Sequence, residues 1–136
     1  MIVVDTGVLF AIADADDEMH GPCAALLARY QRDDLVVPIP VIVEAAWMIE
    51  GNLGPEAEAV FVETAPAALR LFDLDPADWA RTGELVRTYA DLALGLVDAA
   101  VIAVAERLGV STIATVDHRD FRVVRPAHVD AFELIP

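Results

Sequence analysis

Apolar residues run along this chain in short blocks, broken at intervals by prolines, glycines and charges. Ile2–Asp5 reads as a short buried strand. Val8–Ala13 is apolar without alternation and suits a short helix or helical turn. Asp14–Glu18 is acidic, as a helix start would be, and Cys23–Gln31 continues as an amphipathic helix. Leu35–Val37 is a second strand. Pro38 and Pro40 punctuate, and Val41–Glu50 follows as a helix. Gly51–Gly54 reads as a turn, and Pro55–Glu63 as a helix that opens on proline, where a missing N–H is tolerated. Leu69–Leu71 is a strand, Pro76–Asp91 a helix, and Val97–Leu108 a strongly apolar helix. Thr112–Thr115 and Phe132–Ile135 complete the strands. Short apolar strands alternating with helices predict an α/β fold: a three-layer α/β/α sandwich around a central, mainly parallel sheet.

Composition narrows the class. The chain has 136 residues, and 57% of them are hydrophobic, enough for a sizeable core and against disorder. That length predicts a single domain over residues 1–136. Cys23 is the only cysteine, so no internal disulfide can form, which fits a reducing compartment. No apolar run reaches the ~18 residues of a membrane span, and no basic segment precedes the first apolar run. A cytoplasmic protein that does not enter membranes is expected.

Charge excludes several chemistries. There are 23 acidic against 9 basic residues, a net charge of −14, and every basic residue is Arg. Without Lys there is neither a P-loop lysine nor a Schiff-base amine. The acidity also argues against broad electrostatic attraction to nucleic acid. It suits bound cations or a basic partner.

Four carboxylates stand out by position. Asp5 ends the first strand, and Asp117 follows "STIAT" in "ATVDHRDF". Glu44, in "VPIPVIVEAAWMIE", lies about one turn into its helix. Asp98 lies in the first turn of the helix in "LGLVDAAVIAVAERLG". Ligands of open parallel sheets bind beyond the carboxyl ends of strands, near helix N-termini, so the four could converge there. Each has a plainer reading. Asp5 could cap the next helix. Glu44 and Asp98 could favour a helix dipole by roughly 0.3–1 kcal/mol. Asp117, before His118, Arg119 and Asp120, could sit in a surface turn. The joint pattern outweighs these, because converging carboxylates repel unless a cation joins them. Hard oxygen donors suit Mg²⁺ or Mn²⁺.

At this point the sequence resembles the PIN-domain family, in particular the VapC-type ribonuclease toxins of bacterial toxin–antitoxin pairs. The resemblance runs through "IVVDTGVLFAIAD", "PIPVIVEAAWMI", "YADLALGLVDAAVIAVAERLG" and "TIATVDHRDFRVVRP". It implies a metal-dependent endoribonuclease with Asp5, Glu44, Asp98 and Asp117 as the acidic set. Asp5, Asp98 and Asp117 are the expected ligands of Mg²⁺ or Mn²⁺, and Glu44 either binds through water or orients the attacking water. Thr6 and Thr115 match supporting hydroxyl positions. Asp91 is expected to support the site or cap a helix rather than touch metal. Asp120 is expected in a turn, and His20, His118 and His128 at the surface. Arg119, Arg122 and Arg125 could contact RNA phosphates or pair with acids.

The resemblance also implies a cognate VapB-type antitoxin and a homodimer. Candidate dimer helices are Val41–Ile49 and Pro55–Val62, where Trp47, Met48, Phe61 and Val62 add apolar area. Two other functions compete: a catalytically silent PIN-like module that binds metal only structurally, and a small phosphate-ester hydrolase.

Overall fold

The strands are short and rich in Val and Ile, as strands covered on both faces tend to be. In the computed structural model, which describes residues 1–136, β1 (Ile2–Val4), β2 (Leu35–Pro38) and the inner residues of β4 (Thr112–Ala114) are buried. The five strands, with β3 (Arg70–Phe72) and β5 (Glu133–Ile135) at the edges, form one sheet in the order β3-β2-β1-β4-β5. Every neighbouring pair is parallel, with Val3 opposite both Val36 and Ile113. The chain winds from β1 outward to β3, then returns to the other side of β1 for β4 and β5. The strand order therefore reverses between β1 and β4, at the centre of the sheet.

Helices make every crossover. α1 (Thr6–Ala13) and α2 (His20–Leu27) join β1 to β2, and α3 (Ile39–Leu53) and α4 (Pro55–Ala68) join β2 to β3. α5 (Pro76–Thr88) and α6 (Leu96–Leu108) return the chain to β4, and α7 (Arg119–Val123) precedes β5. α6 lies against β1 and β2 and pairs with α5, while α3 packs on α1 and α4. Residues Ala99–Ala105 of α6 are buried without a break. No helix is long and apolar enough to cross a membrane.

The elements match the sequence pattern in kind, with shifted ends. Asp14–Glu18 is not helical: the Asp14 and Asp17 carboxylates accept the amides of Asp16 and Met19, competing with a helix. α2 accordingly begins at His20 and stops at Leu27, short of Gln31. Gly51 and Asn52 continue α3, and only Gly54, with φ +90°, turns the chain. The expected helix Pro76–Asp91 stops at Thr88, and Ala90–Leu92 forms a separate 3-10 turn. α5 opens on a capping box in which Asp75 and Asp78 exchange side-chain and backbone hydrogen bonds. Of the apolar residues assigned to a dimer face, Trp47 and Val62 are exposed, whereas Phe61 packs against the core.

Candidate active site

The carboxyl ends of β1 and β4 meet where the strand order reverses, the place where open parallel sheets leave a crevice. Asp5 follows β1 and its amide donates to the Ala114 carbonyl at 2.9 Å. It occupies the N-cap position of α1, yet its side chain makes no capping hydrogen bond. Its Oδ2 instead accepts from the Thr115 hydroxyl at 2.8 Å, a buried bond to the neighbouring strand's end. That partner rules out capping as the reason for Asp5.

Thr115 is fully buried, and its amide donates to the Ile135 carbonyl at 2.8 Å. Its hydroxyl also accepts the Asp117 amide at 3.1 Å, and the Asp117 carboxylate accepts the Arg119 amide at 3.2 Å. Two successive side-chain turns therefore lead from β4 into α7. Gly7, in the first turn of α1, faces Val116 so closely that a Cβ there would clash with the valine side chain. Glu44 projects from the second turn of α3, where its Oε2 accepts the Thr6 hydroxyl at 2.6 Å. Asp98 enters from the first turn of α6.

Electrostatics bring these groups into one cluster. Asp98 is pushed up to about 7, first by burial and then by the charges of Asp5, Asp120, Glu44 and Asp117. Asp5 is raised as well, mainly by burial, with the Thr115 hydrogen bond opposing and Glu44 and Asp117 adding to the rise. Five carboxylates thus share one pocket, with too much negative charge for all to ionise comfortably. No three of them already stand as a closed metal cage. The donor chemistry nevertheless fits a hard divalent cation: oxygen ligands only, and surplus charge for a cation to relieve.

Asp120 is the member that sequence reasoning placed in a solvated turn. It lies on α7, only 8% exposed, and Arg119 pairs with it at 3.1 Å. The Asp120 charge acts on Asp98, which makes it part of the cluster. Asp91 stays apart. It is exposed in the 3-10 turn, and the N-cap of α6 is Gly95, so Asp91 caps nothing. The histidines are half-buried rather than superficial. His20, His118 and His128 each hydrogen-bond a backbone carbonyl, of Ala11, Thr115 and Val110 respectively. His118 also meets Arg122 at 3.3 Å, which assigns its Nδ1 as acceptor and its Nε2 as donor to Thr115.

Fold and site define an α/β domain that gathers carboxylates from several crossovers at the switch point of its sheet. A PIN-domain family profile matches residues 2–125. Ribonuclease VapC26 of Mycobacterium tuberculosis is 32% identical over 136 residues, which span 99% of this chain and 100% of that protein. This chain therefore belongs to the PIN-domain family, with a VapC ribonuclease among its relatives. Solved structures share the fold at lower identity. The VapC20 toxin of Mycobacterium tuberculosis, described as cleaving the sarcin–ricin loop, matches with a TM-score of 0.83 at 21% identity, over 96% of this chain and 99% of its own. VapBC2 of Rickettsia felis, bound to a promoter DNA fragment, matches with a TM-score of 0.69 at 16% identity, over 98% of this chain and 97% of its own.

Proposed function

We propose that this chain is a metal-dependent endoribonuclease, the toxin member of a toxin–antitoxin pair. The observation that carries the reading is the shared charge around Asp98 at the sheet's switch point. Asp5, Asp98 and Asp117 would hold Mg²⁺ or Mn²⁺, with Glu44 and Asp120 beside them. A divalent cation held there supplies positive charge against the phosphate and acidifies nearby water. The chain's own residues do the rest. Thr115 holds Asp5, and the Thr6 hydroxyl holds Glu44 in place to orient the attacking water or take its proton. Arg119 and Arg122 are exposed on α7 and positioned to meet phosphates flanking the cut.

A cognate VapB-type antitoxin is the proposed partner. Structural neighbours named as toxin–antitoxin assemblies support it, and a basic antitoxin segment would complement a −14 chain with an acidic pocket. A homodimer is proposed through α3 and α4, where Trp47 is exposed and Val60 and Val62 are about half exposed. Light scattering at tens of micromolar should give twice the chain mass; a monomer there refutes the dimer.

The function is tested with purified, antitoxin-free protein on single-stranded and structured RNAs. Cleavage should require Mg²⁺ or Mn²⁺ and stop with EDTA. Cleavage that persists unchanged in EDTA refutes the metal-dependent reading. Metal should also stabilise the fold, by about 2.7 kcal/mol at ~100 times Kd. A melting curve indifferent to millimolar Mn²⁺ would count against a shared cation site.

A further inference from the structure

The two exposed arginines of α7 are held in different ways. Arg119 meets the Asp120 carboxylate at 3.1 Å, so an acid already offsets its charge. Arg122 makes no ion pair, although the chain has 23 acidic residues. Its guanidinium donates instead to His118 Nδ1 at 3.3 Å. The opposite ring nitrogen, Nε2, lies 3.1 Å from the Thr115 carbonyl and donates to it. Only a neutral imidazole accepts at one nitrogen and donates at the other, so both ring nitrogens are in use. A neutral holder fixes a guanidinium without cancelling its charge, and it leaves the remaining N–H groups free for a second partner. On its far side the ring is tied to the residue that holds Asp5, because the Thr115 hydroxyl donates to Asp5 at 2.8 Å. Asp5, Thr115, His118 and Arg122 thus form one line of contacts, from the acidic cluster to an exposed positive charge.

We propose that His118 is a positioning residue that presents Arg122 to an RNA phosphate flanking the one that is cut. This rests on the nuclease reading and deepens it, by separating the work of the two α7 arginines and naming what holds the free one in place. An unheld arginine samples many rotamers, and a phosphate that binds it must restrict them. His118 imposes that restriction before RNA arrives. The contact matters in this chain because its surface as a whole repels RNA: at net charge −14, attraction has to be local. The cut phosphate faces the carboxylates and their cation. Arg122 is reached through His118, the residue after Asp117, so a neighbouring phosphate fits it. An i,i+4 pair with only a structural role would change the stability of α7 and leave RNA binding alone.

Binding and cleavage test the pair separately. Binding is read as the fluorescence anisotropy of a short single-stranded RNA on the slow-cleaving Asp98→Asn chain with Mg²⁺, over a range of salt. Arg122→Gln should lower the slope of log affinity against log salt by about 0.7, the loss of one phosphate contact, and His118→Leu should lower it by part of that. In cleavage by the otherwise wild-type chain, Arg122→Gln should raise KM about 10- to 100-fold and lower kcat far less. His118→Leu, which keeps bulk and loses both nitrogens, should raise KM about 2- to 10-fold. His118→Gln, whose amide can donate to Thr115 and accept from Arg122, should restore most of that loss. In the Arg122→Gln chain, His118→Leu should add nothing further. An equal KM rise from His118→Leu in that background overturns the proposal. So does a loss confined to kcat, or an unchanged KM in single variants that still cleave. If the wild-type chain cleaves no RNA, the nuclease reading fails, and the salt slope still decides the pair: a slope lowered by both variants supports it, and an unchanged slope, or no RNA binding at all, overturns it.

Discussion

Asp98→Asn is expected to lose RNA cleavage by at least about 100-fold while making the metal-free protein more stable. The first effect follows from its place at the centre of the carboxylate cluster. Groups that merely orient a metal's ligands typically cost 10–100-fold when removed, so a ligand itself should cost at least about that upper value. The second effect follows from repulsion. With the Asp98 carboxyl raised from 3.8 to about 7, the fold favours its neutral form. Its contribution to metal-free stability is therefore full below about pH 4 and is lost as pH rises toward 7. Discounted for an open, partly solvated pocket, the loss is roughly 1–3 kcal/mol. Asn carries no such penalty, so at pH 8 the variant should melt about 3–10 °C higher than wild type in EDTA. Added Mn²⁺ should then raise the wild-type melting temperature and leave the variant nearly unmoved. Equal cleavage rates, or a variant that melts lower at pH 8, would contradict the shared pocket.

Glu106→Ala is expected to produce a large loss of stability with a different pH signature. Glu106, on α6, accepts Arg81 of α5 at 2.7 and 3.0 Å and the Ala127 amide at 2.8 Å. One carboxylate thus ties two helices to the segment leading to β5. Burial pushes its pKa up, but the Arg81 hydrogen bonds and the Ala127 amide outweigh it and hold Glu106 below the usual glutamate range. With a depressed folded pKa, its stabilisation is present above the unfolded value of about 4.5 and disappears as pH falls below it. Removing the carboxylate leaves Arg81 without its main partner. With Arg81 about one third exposed, the expected cost is about 2–3 kcal/mol at pH 7, shrinking toward pH 3. Urea denaturation across pH, read as a shift in midpoint at constant slope, measures it. RNA cleavage per folded molecule should not change, because Glu106 takes no part in the pocket.

The carboxylates at strand ends and in first helical turns were legible because those positions are set by local pattern. Asp5 and Asp117 follow apolar strands, and Asp98 sits among residues too apolar to tolerate a stray charge. The parallel sheet was legible for the same reason, since Ile2–Val4, Leu35–Val37 and Ile113–Ala114 are apolar on both faces. Asp120 was not legible as a site member. Its helix has only five residues and begins with side-chain turns, so nothing periodic announces it. Exposure was hidden as well. Trp79 lies in an amphipathic helix and could have belonged to the core; only the packing of α5 on α6 turns it outward. Helix ends slipped where Asp14, Asp17 and Gly51 met competing local bonds or were overridden by tertiary packing.

The hydrogen bond between Thr115 and Asp5 joins residues 110 apart in sequence. During synthesis β1 emerges first and can pair only with β2 on one side. Its other neighbour, and with it Thr115, Asp117 and Asp120, follows after roughly 5–20 s at ordinary elongation rates. Until then Asp5 has no partner across the sheet, and the pocket lacks its last two acids. A nascent chain therefore cannot assemble the acidic cluster until β4 has joined the sheet.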